Sequence, residues 1–238
     1  MASVSIVIPA FNEEKRLPVT LEKIQEYLEK KDFSHEIIIV DDGSTDNTKK
    51  SVECFEKLNI KVIPNEKNTG KGYSINRGIL AAKNDIILFT DADLSTPIKF
   101  LDNFLAMHKK GYDVVIASRA INRKLVKKHQ PFIREAMGRI FNIFVLLITG
   151  LKIKDTQCGF KSFTKKAAKD VFPRQTIFDF GFDVEILYIA SARGFKIYES
   201  AAEWYDSPGT KVSPFRDSVR MFIDLFKIKY RSIKDFYK

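Results

Sequence analysis

Five short apolar runs, Ser3–Ile8, Glu36–Val40, Ile60–Ile63, Ile86–Thr90 and Asp113–Ser118, constrain the fold more than any other feature of the chain. Each has the length and branched-residue content of a buried strand, and helical patterns separate most of them. Leu17, Leu21, Ile24 and Leu28 form one helical stripe beginning near Pro18, a residue tolerated in a first turn. A turn at Asp41-Asp42-Gly43-Ser44-Thr45-Asp46 is expected to cap a helix carrying Val52, Phe55 and Leu58. Further helices are expected from Gly72 through Ala82 and from Pro97 to Lys110. Such a series dictates an α/β fold: a mostly parallel sheet with helices on both faces.

The second half is less regular. Phe132–Thr149 reads as a helix that is apolar on most sides toward its end, with Gly150 as its stop. Gln157–Phe163 is expected to return a strand to the sheet. Asp183–Arg193 is a helix closed by Gly194, and short strands follow at Lys196–Glu199 and Glu203–Tyr205. With no repeat or low-complexity linker, the chain divides only near residue 210, into a unit spanning 1–210 and a segment spanning 211–238.

The strand Ile86–Thr90 runs directly into Asp91-Ala92-Asp93. Ligands of open α/β sheets bind at the carboxyl ends of strands, so both carboxylates project into that crevice. Paired hard oxygen ligands suit Mg²⁺ or Mn²⁺ shared with substrate phosphates. A capped turn is the plain alternative for three residues taken alone.

Charge is placed locally. Seven Lys/Arg against Glu135 lie between Arg119 and Arg139, and eight against three acids lie between Lys211 and Lys238, so these two stretches carry more than the whole net charge of +10. That distribution points to two anionic contacts and argues against general nucleic-acid binding. Cys54 and Cys158 lack metal-ligand spacing, which fits a reducing compartment. The first apolar run is too short for a signal peptide, and no apolar stretch reaches the ~20 residues of a membrane-spanning helix.

Two nucleotide-binding patterns can be set aside. Gly70-Lys71-Gly72 has no glycine at position 75 and follows the third strand, unlike a dinucleotide fingerprint, and no P-loop motif occurs. What remains is a nucleotide-sugar crevice. The set Val7–Glu14, Val40–Asp46, Asn68–Gly72, Asp91-Ala92-Asp93 and Ser118-Arg119 resembles the family 2 glycosyltransferases of GT-A (Rossmann-like) fold. More narrowly, Asp155–Lys161, Phe182–Glu185 and Trp204–Val212 are similar to the dolichyl-phosphate β-glucosyltransferase branch, which stands beside the dolichyl-phosphate mannose synthases. The resemblance covers residues 3 to about 230.

That resemblance implies site residues. Pro9, Phe11 and Glu13 match positions enclosing base and ribose, Asp42 the position that reads the base edge, and Lys71 a group able to neutralise diphosphate. Asp91 and Ala92 belong with the nucleotide sugar, Asp93 with the metal, and Asp155 and Gly159 with the wall holding sugar and diphosphate. Asp183 and Glu185 have matching positions in the site, although residues two apart on a helix face different directions and Glu185 has Lys161 as an alternative partner. Arg119, Arg134 and Arg139 are expected to hold acceptor phosphate. The mannose synthases carry a small hydroxyl residue four positions after the residue matching Arg134; here Gly138 stands in its place.

Phe215, Val219, Phe222, Phe226, Tyr230, Ile233 and Phe236 recur at helical spacing, with Arg216, Arg220, Lys227, Arg231, Lys234 and Lys238 on other faces. A basic amphipathic helix with aromatic residues suits a membrane interface, while packing on the protein's own core or on a second subunit is the alternative. The expectation is an inverting, metal-dependent glycosyltransferase, peripheral on the cytoplasmic face of a membrane. It would move a hexose, glucose from UDP-glucose, to a polyprenyl phosphate. GDP-mannose as donor is the alternative within the class, and a non-catalytic sugar-nucleotide or anionic-lipid binding module the alternative outside it.

Overall fold

The computed structural model describes residues 3–55, 58–128, 132–206 and 214–237, of which 132–134 and 214–217 are described by backbone alone. Its strands are β1 (Val4–Ala10), β2 (His35–Asp41), β3 (Ile60–Pro64), β4 (Ile86–Phe89), β5 (Val114–Ser118), β6 (Val126–Lys128), β7 (Lys161–Thr164), β8 (Ile197–Ala201) and β9 (Trp204–Tyr205). The helices are α1 (Arg16–Leu28), α2 (Lys71–Ala81), α3 (Leu101–Lys109), α4 (Phe132–Thr149), α5 (Lys165–Val171), α6 (Phe182–Ala192) and α7 (Pro214–Ile233).

Seven strands form one sheet in the order β3-β2-β1-β4-β7-β5-β8, and β6 pairs with β9 in a small second sheet. All pairings in the large sheet are parallel except those of β7, which runs antiparallel to β4 and β5. The central strands read as continuous apolar runs because both faces are covered. Alternate residues divide between the two faces: Ile6, Ile8, Ile37 and Leu88 join a core under α1 and α3, whereas Val7, Ile38, Val40 and Phe89 join one under α2, α5 and α6. Chain order reverses direction between β1 and β4, and this switch point opens the crevice that receives the ends of both strands.

The helix expected around Val52, Phe55 and Leu58 is, among the described residues, only a 3₁₀ turn at Lys50–Val52. Side chains compete for the backbone here. Asp46 Oδ1 accepts from the Thr48 amide, Ser51 Oγ donates to the Thr48 carbonyl, and the Thr48 hydroxyl takes the Glu13 amide at 2.7 Å. Burial of Val52 and Leu58 survives without a regular helix.

The last helix is amphipathic, as its spacing implies, but it has two apolar sides. Leu225 and Ile228 enter the core, so that α7 packs against α6 and α4. Val219, Ile223, Phe226 and Tyr230 face outward and are about half exposed or more. Neighbouring α4 exposes Ile140, Ile143 and Leu147, the last at 72 %. Phe215 lies outside the described side chains.

Candidate functional site

A cleft of about 820 Å³ opens at the switch point, with one charged end and one apolar end. At the charged end the chain leaves β4 and turns sharply. Leu94 adopts a left-handed φ of 49°, uncommon for a leucine, and the Thr20 hydroxyl ties down the Ala92 carbonyl at 2.7 Å. Asp93 Oδ1 accepts from the Ser95 amide and hydroxyl at 3.1 and 3.0 Å. Asp91 Oδ1 lies 2.5 Å from Lys71 Nζ, at the start of α2. Gly159 makes room for this carboxylate: a Cβ there would stand 2.0 Å from Asp91 Oδ2.

Burial and the adjacent Asp91 charge push the Asp93 carboxyl up, with the Ser95 bonds opposing. Burial works against the Lys71 ammonium, but Asp91 and Asp183 outweigh it and hold its pKa above the ordinary value. Among the described residues no group of three or more His, Cys, Asp or Glu side chains forms a closed metal cage. Two acids flanking an open cleft are a partial ligand set of the kind Mg²⁺ and Mn²⁺ complete with substrate phosphates.

Pro9 at the end of β1 and Phe11 and Glu13 just beyond it line the cleft, and Asp42 lines it beyond β2. Glu13 takes the Nε and Nη2 atoms of Arg16, both at 2.6 Å, and so sets a guanidinium beside the two aspartates. Asp42 is committed to its own chain. Its Oδ1 accepts from Asn65 Nδ2, the Thr69 amide and the Thr69 hydroxyl, and its Oδ2 from the Gly70 amide at 2.9 Å. Those bonds fix the loop that carries Lys71, in which Gly70 has a φ of 101°.

The opposite wall holds Arg119, at the end of β5. Its Nε and Nη2 donate to Asp155 at 2.7 and 2.8 Å, its backbone amide adds a third bond, and its Cζ lies 5.3 Å from the Trp204 ring centre. Burial alone would raise the Asp155 carboxyl; Arg119 outweighs that and holds it down at about 2. Glu199 on β8 clamps the Lys154 and Asp155 amides at 3.0 and 2.8 Å, which anchors the arrangement to the sheet.

The two acids of α6 part company. Asp183 lines the cleft and accepts from the fully buried Lys161 Nζ at 2.5 Å. The partnership suggested between Glu185 and Lys161 is therefore corrected, because Lys161 belongs to Asp183. Glu185 does not line the cleft; it points behind the wall, where it accepts from the Thr176 and Ile177 amides at 2.9 and 2.7 Å and from the Tyr237 hydroxyl at 2.7 Å. Two residues of helix turn one carboxylate away from the other.

Toward the apolar end, Met137, Ile140, Phe141 and Phe144 of α4 meet Met221 and Phe222 of α7. Phe144 and Phe222 pack edge to face at 4.9 Å. Arg139 is exposed beside Glu135 and is not among the residues that line the cleft. The Arg134 side chain lies outside the described residues. Sequence reasoning did not single out Arg16, Ser95, Gln157, Asp179 or Phe180, all of which line the cleft. Arg16 carried a signal, one helical turn from Glu13. The loop residues Asp179 and Phe180 carried none.

A family model described as "Glycosyl transferase family 2" matches residues 5–172. The dolichyl-phosphate beta-glucosyltransferase of Dictyostelium discoideum is 38% identical over 98% of this chain and 76% of its own length. The human protein of the same name is 36% identical over 95% and 75%. Among solved structures, glucosyl-3-phosphoglycerate synthase from Mycobacterium tuberculosis in complex with UDP superposes with a TM-score of 0.72 at 18% identity, over 96% of this chain and 80% of that one. The same enzyme with Mn²⁺, UDP-glucose and phosphoglyceric acid gives 0.67 at 17%, over 96% and 78%. These likenesses show the fold.

Proposed function

The chain belongs to glycosyl transferase family 2, and from that premise we propose that it transfers glucose from UDP-glucose to dolichyl phosphate with inversion, giving a β-linked glucosyl lipid. One observation carries the reading: a single cleft joins a nucleotide-sized, charged end to an apolar end between two helices whose outer faces are also apolar. A soluble acceptor needs no such end. The names borne by the relatives supply the sugar and the lipid.

In this reading Pro9, Phe11, Glu13 and Asp42 enclose uridine. Asp42 acts on the base chiefly by fixing the loop around it. Asp91 and Ala92 border the ribose and sugar, with Gly159 and Asp155 on the opposite wall. Asp93 is the protein ligand for Mg²⁺ or Mn²⁺, since Lys71 already neutralises Asp91. A divalent cation held there would supply charge compensation for the departing UDP. Lys71 contributes further positive charge at the same end of the cleft.

The acceptor phosphate is already an anion near neutral pH, because its second pKa is ~6. It attacks the anomeric carbon without surrendering a proton, and the site need supply only position and charge compensation. Arg119, oriented by Asp155 and lying over Trp204, lines the cleft for that purpose; Arg134, at the start of α4, is its proposed companion. Asp183 is tied to Lys161 and positions substrate.

The first isoprene units lie between Phe141, Phe144 and Phe222. Around that entrance the exposed faces of α4 and α7 rest in the interface of an anionic leaflet, with Lys234 beside Tyr230; the segment 211–238 thus serves as a peripheral membrane element on the cytoplasmic side. No helix among the described residues is long and apolar enough to cross a membrane. Thermal shift with UDP and with GDP in the presence of Mn²⁺ tests the donor. A larger shift with UDP is expected, and a larger shift with GDP moves the reading to a mannose donor.

A further inference from the structure

The loop from Gln175 to Gly181 is a thin wall with the donor end of the cleft on one side and the C-terminal residues on the other. On the cleft side Asp179 and Phe180 line the site, and the Phe178 carbonyl accepts from the Gly72 amide at 2.8 Å. Gln175 Nε2 donates to the Gly72 carbonyl at 3.1 Å. A Cβ at Gly72 would stand 2.7 Å from the Phe178 oxygen and 2.8 Å from the Phe182 side chain, so the loop grips the first turn of α2 without slack, next to Lys71.

On the far side the wall is held by hydrogen bonds around a second cavity of about 260 Å³, lined by Thr69, Thr176, Asp179, Asp224, Lys227 and Arg231. Glu185, fully buried, takes the Thr176 and Ile177 amides, and the Tyr237 hydroxyl closes the set at 2.7 Å. Arg231 donates to the Thr176 hydroxyl and approaches Glu185 at 3.6 Å. Arg220 bonds Asp179 at 3.0 Å. Burial and the Glu185 charge push the Tyr237 ionisation far above its ordinary value, so the hydroxyl remains a donor throughout the useful pH range.

We propose that Glu185 and Tyr237 are positioning residues for the donor site: the C-terminal turn, through Tyr237, orients Glu185, which fixes the 176–181 wall and through it the Lys71 turn. The inference rests on the reading that the charged end holds the nucleoside diphosphate. Glu185 touches no part of the cleft itself. Its contribution passes through the two amides it holds, and the space behind the wall gives an unlatched loop somewhere to go.

The test uses the full chain with Tyr237→Phe, which deletes one hydroxyl, and Glu185→Gln as a second variant. Titration calorimetry with UDP and Mn²⁺ is run well below the melting temperature, alongside steady-state transfer. For both variants the UDP dissociation constant and the UDP-glucose KM are expected to rise about three- to tenfold, the scale of one weakened hydrogen-bond set, with the dolichyl phosphate KM within about twofold of wild type. A contact that only stabilises the fold would lower Tm and leave the UDP constant unchanged; that result in Tyr237→Phe overturns the proposal. If wild-type protein binds no UDP, the donor reading fails and the positioning claim falls with it. If wild type binds UDP and the variants bind equally well, only the positioning claim falls.

Discussion

Lys71 Nζ lies 2.5 Å from Asp91 Oδ1, while Asp93, two residues on, accepts from the Ser95 amide and hydroxyl with one oxygen and feels the Arg16 guanidinium only as a smaller, longer-range charge. The two acids of the motif therefore have different work. Lys71 neutralises Asp91, and in the proposed reading Asp93 is the acid left for a divalent cation. Replacing Asp93 with Asn should lower transfer by ~10²-fold or more, because several kcal/mol of barrier depends on charge compensation at the leaving diphosphate. Initial rates across a Mn²⁺ titration check this, and an undiminished rate in the variant or in excess EDTA contradicts it.

Gly159 leaves no room for a side chain against Asp91. Gly159→Ala should push the Asp91 carboxylate away from Lys71 and cost activity at least tenfold, with little change in Tm because the displaced group borders open cleft. Steady-state rates and calorimetric melting of the same sample check both halves. Wild-type kinetics in this variant would mean that Asp91 tolerates displacement.

Arg119 makes three hydrogen bonds to Asp155, through its amide, Nε and Nη2, and lies over Trp204. Arg119→Lys keeps the charge but loses the flat bidentate fork, so the KM for dolichyl phosphate should rise about tenfold while UDP binding stays within about twofold. A change confined to the UDP constant would relocate Arg119 to the donor.

Much of this was legible in the sequence, for identifiable reasons. Strand positions follow from apolar runs bounded by Gly, Pro and Asp, and the carboxyl-end location of Asp91 and Asp93 follows from them. The Thr48 region was misread because side-chain capture of the backbone leaves no periodic mark. Glu185 was misplaced because its partners, Thr176 and Tyr237, are 9 and 52 residues away. The double-sided character of α7 was hidden because one apolar stripe faces the core and the next faces out, and spacing alone does not rank them.

His108 gives the fold an acid-sensitive contact. Its ring lies between the Tyr112 carbonyl and the Ser162 hydroxyl, and burial lowers its pKa from the ordinary 6.5, against smaller opposing effects of Tyr112 and Asp113. The unfolded chain therefore binds a proton more readily than the folded one. Stability is fully present above pH ~6.5 and is lost as pH falls toward the folded value. Tm should decline between pH 7 and 5, and less steeply in His108→Gln; an identical slope would place the sensitivity elsewhere.

Val219, Ile223, Phe226 and Tyr230 line the outer side of α7, with the exposed Lys234 over the Tyr230 ring. Ile223→Ser with Phe226→Ser should reduce sedimentation with anionic vesicles, and raised salt should weaken wild-type binding, since each basic group near the leaflet adds ~1 kcal/mol. Equal sedimentation of variant and wild type would remove this face from the membrane.

The central claim is that one cleft brings UDP-glucose and a polyprenyl phosphate together. Its most direct measurement is incorporation of radiolabel from UDP-glucose into the organic phase, with purified protein, dolichyl phosphate and Mn²⁺, and GDP-mannose run in parallel. The account predicts label in a mild-acid-labile glucosyl lipid from UDP-glucose, strict dependence on added dolichyl phosphate, and little incorporation from GDP-mannose. Lipid labelling from GDP-mannose alone, or none from either donor with folded, UDP-binding protein, would contradict it.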